Sequence, residues 1–263
     1  MKISIVTLSL NQQNYLKDAL DSVLQQGYPE LEYIVVDPGS TDGSRELIQS
    51  YANQLSHMIF ERDRGAADGL NKGFARATGE IFAFLNADDI LLPGSLQRVA
   101  DFFEQHSDCD VAMGNGFVID GEGRVQRHVR ARSFTVRRYV CGGTNWLQQS
   151  TFFRSRAFLN SPGFNVENRT CWDGELFVKM VHQGAKVGYI AADLAGFRIH
   201  DSSISGSGRL QQQYEQDSSR IFRDLFGREW DIRDDVQRFF YRSEGLLRHM
   251  RTWMQKITKR EFA

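Results

Sequence analysis

Cysteine is scarce in this sequence. Cys109, Cys141 and Cys171 are the only three among 263 residues, odd in number, scattered and without C-x-x-C spacing. That argues against a disulfide framework and a zinc site, and it fits a reducing cytoplasm. An excess of one charge is also missing. The formal net charge is -1, so no global field draws the chain to nucleic acid or to a membrane, and any such attraction has to be local. No apolar run approaches the roughly 18 residues that a membrane-spanning helix needs. The opening Met1-Lys2-Ile3-Ser4-Ile5-Val6-Thr7-Leu8 is too short and too polar for a secretory leader. No Gly-x-Gly-x-x-Gly opens the first helix, and neither Gly-x-x-x-x-Gly-Lys-Ser/Thr nor Gly-x-Ser-x-Gly occurs. Dinucleotide-binding, phosphate-loop and serine-hydrolase readings therefore lose their main support.

What remains is an ordinary globular composition, 41% hydrophobic and 25% charged, arranged in a clear rhythm. Strand patterns at 3–8, 33–36, 57–61 and 81–85 alternate with helix patterns at 14–26, from 44, at 66–77 and from Pro93-Gly94 to about His106. This rhythm predicts an α/β fold with a mostly parallel central sheet and helices on both faces. It breaks after residue 110. A hairpin is expected over 111–119 and 124–130, around Asp120-Gly121-Glu122-Gly123. An irregular stretch over 131–150 leads to a short strand at 151–153, a helix over 174–183 and a strand over 187–190. A Ser/Gly-rich segment at 202–208 precedes two helical patterns near 209–226 and 233–258.

In open α/β sheets, ligands bind beyond the carboxyl ends of the strands. Polar clusters fall there in this chain: Thr7, Ser9 and Asn11, then Asp37, Gly39, Ser40 and Asp42, then Glu61, Asp63 and Arg64, then Asn86, Ala87, Asp88 and Asp89. Strand-to-helix turns favour such residues as caps, but acids closely follow three of the four strands. Asp88-Asp89 is the sharpest feature. Adjacent acids at a buried strand end are costly without a compensating cation. Mg²⁺ or Mn²⁺ bridging carboxylates and a diphosphate supplies one. Capping of the helix near Pro93 accounts for Asp89 but leaves Asp88 unexplained.

These ordered motifs resemble the family 2 glycosyltransferases over roughly residues 2–205. Ile5-Val6-Thr7-Leu8-Ser9-Leu10-Asn11 is similar to the family's opening strand and turn, and Val35-Val36-Asp37-Pro38-Gly39-Ser40-Thr41-Asp42-Gly43-Ser44 to its second nucleotide-binding turn. Glu61-Arg62-Asp63-Arg64-Gly65 with Asp68, Asn71, Lys72 and Gly73 resembles the segment before the metal motif. Phe84-Leu85-Asn86-Ala87-Asp88-Asp89 resembles the D-x-D strand end, with Asn86 in place of the first Asp. The resemblance implies a Rossmann-like GT-A fold and inverting transfer of a sugar from a nucleoside-diphosphate donor, most readily a UDP-sugar, to a hydroxyl acceptor. It implies that Thr7, Ser9, Asn11, Asp37, Gly39, Ser40, Asp63, Arg64, Asp68, Asn71, Lys72, Asn86, Ala87 and Asp88 hold the donor. Asp88, with Asp89 second, and the His200 of Phe197-Arg198-Ile199-His200 would bind Mn²⁺ or Mg²⁺. Cys171-Trp172-Asp173-Gly174-Glu175 resembles the segment that carries the catalytic base, here Asp173, with Trp172 where the family usually has an acid. An N-cap role for Asp173 is compatible with that chemistry. Trp146, Gln149 and Trp172 would line the acceptor pocket. Arg64, Lys72 and Arg198 are candidate cations for the leaving diphosphate.

The expected organisation is a catalytic domain over 1–205, with a nucleotide-binding half at 1–110 and an acceptor half at 111–205, and a helical extension over 206–263. Leu246, Leu247, Met250, Trp253, Met254 and Ile257 form an apolar helical stripe flanked by basic residues. Such a stripe suits the catalytic domain, a second subunit or an anionic membrane. The partners expected are a nucleotide-sugar donor and a saccharide or lipid-linked acceptor, with no nucleic acid. The place is the cytoplasm or the inner membrane face, and the family-level role is bacterial surface polysaccharide or glycolipid assembly. Two rivals stand beside this reading. A nucleotidyltransferase on a similar fold would carry a Gly-rich basic loop after the first strand, which Leu8 to Gln13 lacks. A non-catalytic sugar-binding protein has no need for Asp88, Asp173 and His200 together.

Overall fold

Apolar residues that alternate without polar interruption demand burial on both faces of a strand. In the computed structural model, which describes residues 1–201, 203 and 210–244, three early strands meet that demand. These are β1 (Ile3–Leu8), β2 (Leu31–Val36) and β4 (Ile81–Asn86). Ile3, Ile5, Tyr33, Val35, Ile81, Ala83 and Leu85 face one core, together with Leu16, Ala19, Leu20 and Val23 of α1 (Gln13–Leu24) and Leu96, Val99 and Phe103 of α4 (Ser95–Gln105). Val6, Ile34, Val36, Phe82 and Phe84 face a second core with Leu70 and Phe74 of α3 (Ala66–Phe74). Helix α3 approaches the sheet closely because Gly73 faces it. A Cβ there would lie 2.4 Å from Val6 Cγ1.

The sheet has nine strands in the order β3-β2-β1-β4-β8-β6-β9-β5, with β7 paired to β6. The further strands are β3 (His57–Ile59), β5 (Ile90–Leu91), β6 (Val111–Ile119), β7 (Val125–Val129), β8 (Thr151–Arg154) and β9 (Val187–Arg198). The first half, β3-β2-β1-β4, is parallel throughout, as the early rhythm predicts. The second half is mixed. Strand β8 inserts antiparallel between β4 and β6, while β6 and β9 run parallel. No local pattern carries that insertion, because it pairs Phe82 with Phe153 across 71 residues.

Strand β9 runs to Arg198, well past the expected end at 190, because its later residues pair with β6 and β5 through two register shifts. The stretch expected to be irregular holds α5 (Val136–Val140) and a 3₁₀ turn at Gln148–Ser150. Helix α2 (Ser44–Ser50), α6 (Ser155–Leu159) and α7 (Trp172–His182) complete the body around the sheet. Helix α8 (Gln211–Phe226) packs onto it through Ile221 and Leu225, which share a core with Phe177 and Met180. A further helical segment occupies 232–244. The expected boundary at 205 and the stripe from Leu246 to Ile257 lie outside the described residues.

The base of the sheet carries one buried ion pair. Glu32 is 5% exposed and accepts from Lys2 Nζ at 2.6 Å, Ser4 Oγ at 2.6 Å and both the backbone N and Oγ of Thr78, at 2.6 and 2.7 Å. Burial opposes ionisation, but these donors together hold its carboxyl down at about 2, against an ordinary 4.5. The Glu32→Ala variant should lose about 1–2 kcal/mol of stability, because the buried Ser4 hydroxyl and the part-buried Thr78 N–H lose their acceptor. In the parent, the contribution is present above pH 4.5 and fades as pH falls toward 2. Urea unfolding of both proteins across that range checks the loss and its sign.

Candidate active site

Register places the polar strand ends level with one another. Leu8 pairs with Val36 on one side and with Asn86 on the other, so Ser9, Asp37 and Ala87 leave the sheet at a single edge. The backbone N–H of Ser9, Asp37 and Ala87 donates to Val36, Ile59 and Leu8, which carries the ladder one residue further. Beyond it, Asn11 adopts φ 52 and accepts from Thr41 N at 2.9 Å, while its own N–H donates to Ser40 Oγ at 2.8 Å. Asp42 accepts from Gln13 N and from Ser44 N and Oγ, tying the start of α1 to that of α2. The two turns thus form one rigid rim.

Asp37 is fully buried at that rim. Its Oδ1 accepts from Gly39 N, Ser40 N and Arg45 Nε at 2.8–3.0 Å. Among the described residues its Oδ2 has no partner, and neither does the buried Ser9 Oγ. Buried polar atoms are rarely left unsatisfied without a ligand-related reason. Thr7 differs: its hydroxyl bonds Tyr33 Oη at 2.9 Å inside the core, which leaves only backbone groups for a ligand.

The β3–α3 loop closes on itself. Asp63 accepts from Gly65 N, and Asp68 accepts from Arg64 N and pairs with Lys72 at 3.7 Å. Asn71 clamps the backbone of Phe164 through both its amide atoms. Arg169, which has no sequence signal, donates to Arg64 O and brings the loop before α7 over this turn. Burial pushes the Asp63 carboxyl up, against the N–H of Gly65.

The two acids after β4 have opposite fates. Asp89 is fully buried. Its Oδ1 accepts from Arg198 N at 2.8 Å, and its Oδ2 from Gln149 Nε2 at 2.8 Å and Asn86 Nδ2 at 3.1 Å. Burial first, and the neighbouring Asp88 second, push its carboxyl well above the ordinary range. Both its oxygens face protein, so Asp89, expected as a second metal ligand, stands as an anchor. It does not cap α4, which begins at Gly94 without a side-chain cap. Gln149 and Asn86, expected against acceptor and donor, hold that anchor, and Gln149 is only 5% exposed.

Asp88 turns outward and its Oδ2 lies 3.1 Å from His200 Nε2, across 112 residues of sequence. The Tyr15 ring packs 4.5 Å from the His200 ring. Arg198 is turned inward. It donates to Asp88 O, Gly121 O and Asp18 and lies over Tyr15, which braces the turn from behind. One carboxylate and one imidazole at this spacing suit a divalent cation whose remaining ligands are diphosphate oxygens. Among the described residues, no group of three or more His, Cys, Asp or Glu could hold a metal ion by itself.

Helix α7 docks beside this edge. Its first residue, Trp172, packs with its ring 5.4 Å from that of Phe84 of β4 and edge-on 5.7 Å from that of Phe164. Trp146 packs deeper, against Phe134 and Phe177. Cys171 is the N-cap, and Asp173 sits half-buried in the first turn. Burial pushes its carboxyl up to about 6, against backbone N–H groups of Gly174 and its own. Glu175 is the opposite case. Burial opposes its charge, but Arg220, Lys179, Asn168 and Asn165 hold it at about 2. Arg220 comes from α8, a partner that no spacing within the motif announces.

The family model for glycosyl transferase family 2 matches residues 4–164. The chain belongs to that family. Curated relatives of the chain carry the same family's name. An uncharacterized glycosyltransferase of Nostoc sp. is 42% identical over 127 residues, 47% of this chain and 39% of that protein. Glycosyltransferase GlyG of Streptococcus pneumoniae is 28% identical over 242 residues, 90% of this chain and 78% of its own length. The chain spans well under half of several relatives, 43% of a teichuronic acid biosynthesis protein of Bacillus subtilis among them. In fold, the chain is similar to S. aureus TarS 1-349 in complex with UDP-GlcNAc, with TM-score 0.70, 20% identity and coverage of 90% of this chain and 69% of that one. A mannosyltransferase of Pyrobaculum calidifontis, in complex with GDP-Man and Mn2+, gives TM-score 0.63 and 17% identity over 89% and 66% of the two chains.

The contrast between the two acids is testable. Asp89→Ala removes the acceptor from two buried donors and should lower stability by about 3 kcal/mol. Asp88→Ala should cost less, about 1 kcal/mol, because it removes one hydrogen bond, to His200, whereas Asp89 accepts from three donors. Thermal melts of the two variants check the difference.

Proposed function

We propose that this glycosyltransferase transfers a sugar from a nucleoside-diphosphate donor to a hydroxyl acceptor, with inversion and with a divalent cation, Mn²⁺ or Mg²⁺. The observation that carries the reading is the meeting of Asp88 and His200 at the end of β4. It stands beside the unpartnered Asp37 Oδ2 and Ser9 Oγ at the neighbouring strand ends.

In this reading the rim formed by the β1 and β2 turns takes the nucleoside. Asp37 Oδ2 accepts a base N–H, and Ser9 Oγ offers a hydroxyl beside it. UDP as the nucleotide is supported by the fold likeness to TarS with UDP-GlcNAc, and the alternative of a guanosine donor by the likeness to the mannosyltransferase with GDP-Man. A cation held by Asp88 and His200 supplies Lewis acidity toward the leaving diphosphate.

Asp173 is the base. The acceptor oxygen forms a bond to the anomeric carbon as the bond from that carbon to the diphosphate oxygen breaks, and the hydroxyl proton passes to Asp173. A carboxyl held near 6 is ionised at neutral pH and still basic enough to take that proton. Attack from the face opposite the diphosphate inverts the configuration. Glu175, locked by Arg220 and Lys179, fixes the turn that presents Asp173 and has no free oxygen for the reaction. A role in surface polysaccharide or glycolipid assembly is supported by the B. subtilis relative's name and by mycobacterial relatives named for PGL/p-HBAD biosynthesis. All three cysteines are free and buried, in keeping with a cytoplasmic site of action.

Asp173→Asn should retain nucleoside-diphosphate binding, read as a thermal shift, while transfer falls about 10²- to 10⁴-fold. In the parent, the rate should rise with pH through about 6 as the carboxyl ionises. A single-turnover assay releasing nucleoside diphosphate, run across pH, measures both. Near-normal transfer by the variant removes Asp173 from the role.

A further inference from the structure

The imidazole that meets Asp88 stands just beyond the sheet. His200 lies two residues past the end of β9, where Ile199 N donates to Ile119 O at 2.9 Å. Its carbonyl accepts from Ser203 N at 3.0 Å and from Ser203 Oγ at 2.8 Å. These bonds fix the backbone rather than the ring. The 3.1 Å contact with Asp88 Oδ2 holds one ring nitrogen. The face of the ring is held from the first helix. It rests on Tyr15, the third residue of α1, with centroids 4.5 Å apart and planes tilted by 39°. That separation is direct aromatic contact.

Tyr15 is itself boxed in. The next residue, Leu16, is fully buried in the core with Ala19, Leu20 and Val23, so the packing of α1 sets where the phenol ring stands. The Arg198 guanidinium lies 4.9 Å from the centroid of that ring, and it is tied to Asp18, one turn further along α1, at 3.3 Å. At the turn between β6 and β7, a Cβ on Gly121 would lie 3.3 Å from Tyr15 Oη and 3.9 Å from His200 Cβ, so this turn passes close to both side chains. The start of α1, the β6–β7 turn and the end of β9 thus meet at one phenol ring. The Tyr15 hydroxyl makes no hydrogen bond among the described residues. What Tyr15 supplies is a flat wall.

We propose that Tyr15 is a positioning residue for His200: its ring presets the plane of the imidazole, so that a divalent cation meets both protein ligands already aligned. The inference rests on the cation site proposed above. Its physical reason is the small number of protein ligands at that site. With one carboxylate and one imidazole, affinity falls sharply if either side chain has to be immobilised on binding. A side chain that only filled space could be aliphatic. A flat contact against an imidazole needs a ring.

The test is a double-mutant cycle on the full chain, read as Mn²⁺ affinity by calorimetric titration in saturating UDP. His200→Gln sets the scale by weakening Mn²⁺. Tyr15→Leu, which stays apolar but removes the ring, should weaken Mn²⁺ about tenfold. Tyr15→Phe, which returns the ring without the hydroxyl, should restore the parent affinity. In the His200→Gln background, Tyr15→Leu should cause no further loss, because the ring then has no imidazole to hold. UDP affinity without metal should be the same in every variant. A loss that persists in the His200→Gln background, or that takes metal-free UDP binding with it, overturns the inference, since the ring then serves the fold of α1. Tyr15→Phe as weak as Tyr15→Leu overturns it as well. Unchanged Mn²⁺ affinity in Tyr15→Leu, with His200→Gln weakened, overturns the role of Tyr15 and leaves the cation site standing. Unchanged affinity in His200→Gln removes the cation site itself, and this inference with it.

Discussion

The buried carboxylate of Asp89 is the constraint on which the site depends. It sits at the end of β4, where the parallel half of the sheet stops, and it accepts from Arg198 N on β9 and from Gln149 before β8. Two segments, 60 and 109 residues away in sequence, are thereby tied to one point. The chain leaving β9 brings His200 to Asp88 as a consequence. Arg198 doubles the tie, because its side chain grips the Asp88 carbonyl while its backbone N–H grips Asp89. Two adjacent acids thus divide the work: one is desolvated and structural, the other meets His200.

The same division recurs on α7. Asp173 and Glu175 share the first turn of one helix, where the helix dipole favours negative charge. Glu175 is surrounded by four donors and stays ionised well below its ordinary range, whereas Asp173 lacks side-chain donors and burial raises it. The cationic partner comes from α8, so that helix helps to fix the turn that carries Asp173.

Much of the parallel half was legible in the sequence, because uninterrupted apolar strands such as Tyr33-Ile34-Val35-Val36 and striped helices such as α1 have strong local periods. The mixed half was not. Strand β5 has two residues, α5 and α6 have five each, and such lengths leave no period to read. The insertion of β8 between β4 and β6 rests on pairing across long separations. At the site, the strand-end acids and His200 stood out by residue type. The direction each acid faces did not, since it is set by Gln149, Arg198 and Arg220, residues remote from the motifs. Thr7 shows the same limit, for its hydroxyl is turned to Tyr33.

The most direct measurement of the central claim is pulsed electron paramagnetic resonance of Mn²⁺ bound to the protein with UDP. The account predicts ¹⁴N coupling from an imidazole directly on the ion, abolished in His200→Gln, and a much weaker affinity for Mn²⁺ in Asp88→Ala. Mn²⁺ bound with unchanged affinity in both variants, and with no histidine nitrogen in its coordination sphere, would contradict it.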